Sequence, residues 1–277
     1  MKVLVTGANG YLGQGIVKTL LDQGHVVIAA DRSDQFIDER AIHKVCDLFA
    51  VEDPYSFFEE PEVLLHLAWR DGFVHYSDAH IDDLGKHFHF LEKMFASSID
   101  HIAVMGSVHE IGFFEGSVKE DTPCRPESFY GIAKNALRDM VKILSKQQNK
   151  PYQWLRGYYI VGHAEAGCSV FSKLYQAAKR GEKTFPFTMG LNQFDFLDYP
   201  EFCEQVAAAV TQQEVNGTIN ICSGRPEKLS DRMERFICEN ELDIKLEYGT
   251  FPDRPYDSKA IWGDDEKIRS IMAGKKE

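Results

Sequence analysis

A chain of 277 residues, 44% hydrophobic and 27% charged, has room for one large α/β core with a smaller appendage and is too apolar for a disordered protein. Its net charge of −12 excludes a broad nucleic-acid-binding surface, because such surfaces rest on clustered lysine and arginine. The longest apolar runs, 26–30 and 63–68, are far below bilayer-spanning length, and the N-terminus lacks the basic flank, apolar stretch and cleavage site of a secretory signal. The expectation is a cytoplasmic protein without a nucleic-acid or membrane partner.

The first half alternates short apolar runs with helical patterns: strands at 2–6, 25–30, 63–68 and 101–105, helices at 11–23 and 81–97. Such alternation predicts a parallel sheet wound with crossover helices, and fully apolar strands suit a sheet covered on both faces. The segment 126–149 predicts a long helix, since Phe129, Ile132, Ala133, Ala136, Leu137, Met140, Val141 and Leu144 recur at three- and four-residue spacing. Pro126 is expected in its first turn. Beyond Gly162 the pattern gives a helix at 169–179, a Gly- and Pro-containing stretch to 190, a strand at 218–222, a helix at 230–240 and a strand at 244–248. The predicted fold is α/β: a doubly wound parallel (Rossmann) sheet over 1–162, to which 191–222 returns, and a smaller C-terminal α+β lobe from 163–190 and 223–277.

The six cysteines are scattered and form no Cys-x-x-Cys pair, so reduced thiols are expected. His80, His87 and His89 share one predicted helix, but no carboxylate or cysteine cluster completes a ligand set, and no metal is expected.

The first strand runs into Thr6-Gly7-Ala8-Asn9-Gly10-Tyr11-Leu12-Gly13 and then into a helix. Glycines let backbone approach a pyrophosphate, and a helix N-terminus offers free amides, so Gly7, Asn9, Gly10, Tyr11, Leu12 and Gly13 are candidate dinucleotide contacts. Without a ligand the same residues would be a tight turn. Asp31 follows the second strand, 31 − 13 = 18 residues after the last glycine, close to the spacing at which a carboxylate meets the adenosine ribose. Its charge favours NAD(H), while neighbouring Arg32 leaves NADP(H) open. Asp47 and Leu48, between the 25–30 and 63–68 strands, are placed to border the adenine.

A second constellation is Tyr130-Gly131-Ile132-Ala133-Lys134 with Ser107 at the end of the 101–105 strand. Four-residue spacing on a helix puts Tyr130 and Lys134 one turn apart on one side. A nearby ammonium stabilises a phenolate, so Tyr130 is the candidate acid/base and Ser107 the hydrogen-bond partner of the reacting oxygen. In isolation Tyr-x-x-x-Lys is also an ordinary exposed helix pair; its coincidence with the glycine turn, Asp31 and Ser107 specifies hydride chemistry on a carbonyl or alcohol. Aromatic residues at 69–76 and 185–196 either line a pocket or pack a lobe interface, the second being the commoner use.

At these residues the chain resembles the extended short-chain dehydrogenase/reductase family, the NAD-dependent epimerases, dehydratases and ketoreductases of nucleotide sugars. The likeness takes in the Thr6–Gly13 turn, Leu65-His66-Leu67-Ala68, Gly106-Ser107-Val108-His109-Glu110-Ile111-Gly112, Tyr130-Gly131-Ile132-Ala133-Lys134 and Leu155-Arg156-Gly157-Tyr158-Tyr159-Ile160-Val161-Gly162. Further on it takes in Phe194-Asp195-Phe196-Leu197-Asp198, Asn220-Ile221-Cys222-Ser223-Gly224-Arg225-Pro226 and Arg254-Pro255-Tyr256-Asp257. The resemblance implies that Leu67 and Ala68 border the cofactor, that Trp69, Ser107, His109, Tyr159, Asn192 and Arg254 face a sugar or nucleotide-sugar substrate, and that the protein is a homodimer. Arg254 would hold a sugar-nucleotide phosphate. The runs 106–112, 154–156 and 220–226 are most similar to 4-ketoreductases of dTDP-4-keto-6-deoxyhexoses, which implies hydride transfer at C4. Tyr159 stands where the family usually has asparagine, and Asn192 where an arginine often precedes the next strand, so the diphosphate anchor is thinner than usual. Other readings are a nucleotide-sugar epimerase or dehydratase, a uronate-type dehydrogenase, to which 107–114 is also similar, and a cofactor-binding sensor without catalysis.

Overall fold

The computed structural model describes residues 1–162, 169–252 and 258–274. The first part runs β1 (Lys2–Thr6), α1 (Tyr11–Asp22), β2 (Val26–Asp31), β3 (Ile42–Val45), α2 (Pro54–Phe57), β4 (Val63–His66), α3 (Ala79–Asp82), α4 (Leu84–Ala96) and β5 (His101–Ser107). Next come β6 (Gly116–Val118), α5 (Phe129–Gln148), β7 (Tyr152–Gly157), β8 (Tyr159–Val161), α6 (Val170–Lys179), β9 (Thr184–Pro186) and β10 (Gln193–Asp198). The chain continues through α7 (Tyr199–Val210), β11 (Gly217–Ile221), β12 (Pro226–Lys228), α8 (Leu229–Glu239), β13 (Lys245–Glu247), β14 (Ala260–Gly263) and α9 (Glu266–Gly274).

Seven strands form one parallel sheet in the order β11-β7-β5-β4-β1-β2-β3. The middle strands read as unbroken apolar runs because both faces are covered. Val3, Val5, Val63, Leu65, Ala103 and Met105 join Ile16, Val17 and Leu20 of α1 and Phe202 and Val206 of α7 in one core. The alternate residues Leu4, Leu64, Ile102 and Val104 join Phe90, Leu91 and Met94 of α4 and Leu137, Val141 and Leu144 of α5 in the other. The two-residue period of a strand thus sorts consecutive side chains to opposite cores.

A second sheet has the order β12-β10-β14-β6, with β8 beside β10, and β13 pairs with β9. It draws β6 and β8 from before residue 162 and β10 from within 191–222, while α9 packs on α7 and β11 of the large sheet. The two layers are therefore interleaved along the chain rather than divided at 162 and 222.

Two helix expectations change in detail. The helix predicted over 81–97 splits into α3 and α4 at Asp83, whose carboxylate is taken up by Arg70 Nε at 2.9 Å and Lys86 Nζ at 2.7 Å. The helix predicted from Pro126 starts at Phe129, because the Ser128 hydroxyl accepts the Gly131 amide at 3.1 Å, and a serine cap sets a helix start more firmly than a nearby proline. Gly85, early in α4, has nothing within 4 Å of the place a Cβ would occupy. Gly85→Ala is accordingly expected to stabilise by about 0.5–1 kcal/mol, raising Tm by about 1–3 °C; a lowered Tm in a thermal melt would contradict this.

Among the described residues no helix is long and apolar enough to cross a membrane, and no three His, Cys, Asp or Glu side chains gather as a metal site. Cys46, Cys124, Cys203, Cys222 and Cys238 are free thiols.

Candidate active site

The β1–α1 turn is shaped by the missing side chains of its glycines. Gly7 lies at φ +72°, donates to the Ala30 carbonyl at 2.9 Å, and a Cβ on it would fall 2.7 Å from the Ala68 amide nitrogen. A Cβ on Gly13 would overlap the Gly7 carbonyl oxygen and come within 2.7 Å of Ala8 Cα. Gly10 is the N-cap of α1 and offers no side-chain cap, so the first amides of the helix are left for a ligand. The end of β4 is stitched to this turn: Leu67 donates to the Thr6 carbonyl at 3.1 Å and Ala68 to the Thr6 hydroxyl at 3.4 Å.

At the end of β2 the Asp31 carboxylate accepts the Asn9 amide at 3.0 Å and the Arg32 amide at 2.7 Å. The Asn9 side chain ties down the following loop, donating to Ser33 Oγ and accepting from the Phe36 amide, both at 2.8 Å. Arg32 is exposed. Asp47 accepts from the Phe49 amide at 3.1 Å in the turn after β3, and Leu48 turns its side chain into the α4–α5 core. Tyr11 stacks on Tyr199 with ring centroids 4.4 Å apart, and the Tyr199 hydroxyl donates to the Tyr11 carbonyl while accepting the Gly15 amide at 3.0 Å. Burial raises the Tyr11 phenol to about 12. Leu12 packs on the core. A bare-backbone cradle, open helix amides and a carboxylate at the next strand end together fit a dinucleotide. The 530 Å³ cavity beside α1, lined by Gln14, Lys18, Phe36, Asp38 and Tyr199 among others, contains none of the candidate catalytic residues Ser107, Tyr130 and Lys134.

That group gathers at the carboxyl end of β5. Ser107 ends the strand, and its hydroxyl accepts the His109 amide at 3.3 Å. Tyr130 and Lys134 face it from the first turns of α5, where the Tyr130 amide is satisfied by the His75 carbonyl at 3.0 Å. Burial pushes the Tyr130 phenol up to about 12, against a hydrogen bond with Ser107 that favours ionisation and with a smaller upward push from the Glu110 charge. Burial pulls the Lys134 ammonium down to about 7, partly offset by Glu110. Lys134 Nζ donates to the Met105 carbonyl at 2.8 Å and lies 3.7 Å from the centre of the Trp69 ring, a cation–π contact.

Trp69 is stacked on His87 at 4.5 Å, and its indole donates to His80 Nδ1 at 3.0 Å. Because an indole only donates, His80 carries its proton on Nε2, which meets the Val74 carbonyl at 3.0 Å. Behind Trp69, Thr6 Oγ1, His66 and His87 form a chain with links of 2.8 and 2.9 Å; burial drives both imidazoles toward the neutral form, His87 to about 3. His75 stacks on Tyr130 at 5.4 Å and touches His109 at 4.3 Å, and burial lowers His109 to about 4.

Of the substrate-side expectations, the structure brings Trp69, Ser107 and His109 together around Tyr130. In the 69–76 loop, Trp69 and His75 pack on Tyr130, whereas Phe73 and Tyr76 are exposed. Tyr159 lies elsewhere, packed on Phe194 at 4.4 Å and Phe196 at 5.9 Å in the second sheet. Asn192 donates to the Ser258 carbonyl at 2.8 Å and so serves the fold of that sheet. Arg254 lies outside the described residues. Sequence reasoning assigned no role to Glu110, His75 or His80. Glu110 had a signal, since Ser107-Val108-His109-Glu110 has the Ser-x-x-Glu form of a capping box, and both halves of that box are made.

Residues 3–222 match the NAD dependent epimerase/dehydratase family, and the chain belongs to it. A dTDP-6-deoxy-L-talose 4-dehydrogenase (NAD(+)) of Aggregatibacter actinomycetemcomitans is 38% identical over 270 residues, covering 95% of this chain and 99% of its own. Among solved structures, a UDP-N-acetylglucosamine 4-epimerase from Methanobrevibacter ruminantium M1, in complex with UDP-N-acetylmuramic acid, superposes with a TM-score of 0.82 at 22% identity, covering 98% of this chain and 91% of its own. MoeE5 in complex with UDP-glucuronic acid and NAD has a TM-score of 0.81 at 20% identity, covering 99% and 93%. The predicted parallel-sheet fold and family are thereby established.

Proposed function

We propose that this protein is an NAD(H)-dependent oxidoreductase that transfers hydride at C4 of a dTDP-linked 6-deoxyhexose, interconverting the 4-alcohol and the 4-ketone. The observation that carries this is the convergence of Ser107, Tyr130 and Lys134 at the end of β5, in a chain that matches a dTDP-6-deoxy-L-talose 4-dehydrogenase over nearly the full length of both.

Gly7, Asn9, Gly10, Tyr11, Leu12 and Gly13 would hold the pyrophosphate, Asp31 and Arg32 the adenosine ribose, Asp47 and Leu48 the adenine, and Leu67 and Ala68 the nicotinamide side. NAD, when bound, accepts or donates the hydride. The Ser107 hydroxyl donates to the sugar oxygen at C4 and holds it toward the phenol. Tyr130 takes the hydroxyl proton in oxidation and returns it in reduction, and the Lys134 ammonium stabilises the phenolate between the two. Trp69 supports that ammonium through its ring face and, with His109, walls the sugar. Arg254, within 223–277, and Tyr159 and Asn192, at the second sheet, would cover the nucleotide, while the large parallel sheet built from 1–162 and 191–222 would seat the cofactor. The carboxylate of Asp31 favours NAD(H) over NADP(H). The protein works in the cytoplasm as a homodimer.

The test is NADH formation from NAD+ and dTDP-6-deoxy-L-talose. Turnover with the dTDP-sugar and none with free glucuronate or galacturonate is expected. Reduction of NAD+ by the free uronates alone would replace this reading with that of a uronate dehydrogenase, and cofactor binding without turnover of any sugar would reject an enzymatic role.

A further inference from the structure

We propose that Glu110 is a positioning residue of the reaction: its buried carboxylate fixes the Ser107 backbone at the end of β5 and keeps a negative charge beside the Tyr130–Lys134 pair. This rests on the catalytic assignment proposed above.

Glu110 is 0% exposed. Its Oε1 accepts the Ser107 amide at 2.6 Å, and both carboxylate oxygens lie 2.9 Å from the Trp154 indole nitrogen. Arg156, also 0% exposed, brings Nε to 3.6 Å of Oε2, and Arg138 brings Nη1 to 3.9 Å. Space for the arrangement is made by Gly106, where a Cβ would overlap the Trp154 indole nitrogen and come within 2.7 Å of Glu110 Oε1.

The hydrogen bonds alone do not call for a charge. A glutamine of the same length would accept from Ser107 and Trp154 equally well, and a neutral group is far less costly to bury. The charge has a counterpart, because Arg156 Nε and Nη2 donate no hydrogen bond and the guanidinium is balanced in the interior by Glu110. It also has neighbours to act on, since Glu110 raises the proton affinity of Tyr130 and Tyr158 and, against burial, that of Lys134. The groups that face Glu110 are Ser107 of β5, Tyr130, Lys134 and Arg138 of α5, Trp154 and Arg156 of β7, and Tyr158 beyond it. Arg138 is shared with Asp139 at 3.0 Å and Cys124 at 2.8 Å.

The test is the pH dependence of kcat/KM for sugar oxidation in the wild type, Glu110→Gln, Glu110→Asp, Arg138→Met and Tyr130→Phe. Oxidation needs the phenolate with the ammonium kept, so the two limbs of the profile together report the proton affinities of the Tyr130–Lys134 pair. Removing the negative charge eases the loss of both protons, so Glu110→Gln is expected to move both limbs to lower pH by about one unit or more. Glu110→Asp, which keeps the charge but shortens the reach to Ser107, is expected to keep the wild-type limbs at reduced kcat. Arg138→Met, which removes a cation, should move both limbs to higher pH. Unmoved limbs in Glu110→Gln overturn the proposal, and if that variant does not fold, Arg138→Met with unmoved or acid-shifted limbs does so. A dead Tyr130→Phe with unmoved Glu110→Gln limbs rejects only the role of Glu110; a fully active Tyr130→Phe rejects the catalytic assignment and this inference with it.

Discussion

Tyr130→Phe is expected to lower kcat by about 10²–10⁴-fold, the usual contribution of a positioned acid/base, while changing the affinity for NADH by less than about twofold. The substitution removes one oxygen and leaves the ring. The ring is what packs the site, with His80 at 5.2 Å, His75 at 5.4 Å and Trp69 at 6.1 Å, so the fold around it survives. What goes is the phenol that faces Ser107 and lies one helical turn from Lys134. The phenol stands at about 12 and the lysine at about 7, so at neutral pH the tyrosine holds its proton, as ketone reduction requires. Oxidation requires the phenolate and gains as pH rises until the ammonium is lost. Steady-state kinetics with a separate NADH titration checks the split; near-normal turnover with weakened binding would contradict the assigned role.

Gly13→Ala is expected to destabilise the protein by about 3 kcal/mol, lowering Tm by about 5–10 °C, and to weaken NADH binding at least tenfold. The added methyl would overlap the Gly7 carbonyl oxygen and meet Ala8 Cα and O at 2.7 Å, and all three are backbone atoms that cannot rotate away. Relief requires α1 to lift from the strand end, which pulls Ile16, Val17 and Leu20 out of the core they share with Val3 and Val5. It also moves the open amides that follow Gly10, where the pyrophosphate would sit. Stability and cofactor affinity should therefore fall together. A thermal melt and an NADH titration read both, and a wild-type Tm with unchanged binding would show that the close approach is not a constraint. The same change at Gly85, on an uncrowded helix turn, carries the opposite sign.

The sheet and its crossovers were legible because burial on both faces leaves strands as unbroken apolar runs, which a sequence displays directly. Tyr130 and Lys134 were legible for a similar reason: a four-residue helical spacing is a local fact. The rest depends on contacts between distant segments. Trp69 reads as a loop aromatic, and only the fold brings His80, His87 and Lys134 to its two faces and its nitrogen. Glu110 lay in plain view three residues after Ser107, yet a capping box is normally sought ahead of an apolar helix, and this one closes a three-residue turn after a strand. The second sheet was hardest, because β6, β8 and β12 are three residues each, too short to show a period, and reach it from separate parts of the chain. Tyr159 and Asn192 are expected near substrate on family position alone, and their neighbours in the fold are aromatic rings and a backbone carbonyl.

The sorting of neighbouring strand residues to opposite cores limits how this chain can change in length. Losing one residue from β4 would send Leu64 to the wrong side of the sheet and swing His66 away from Thr6 and His87, on which the floor beneath Trp69 is built. Insertions and deletions are thus tolerable in the connections but not within the inner strands, and a two-residue change preserves the alternation where a single one destroys it.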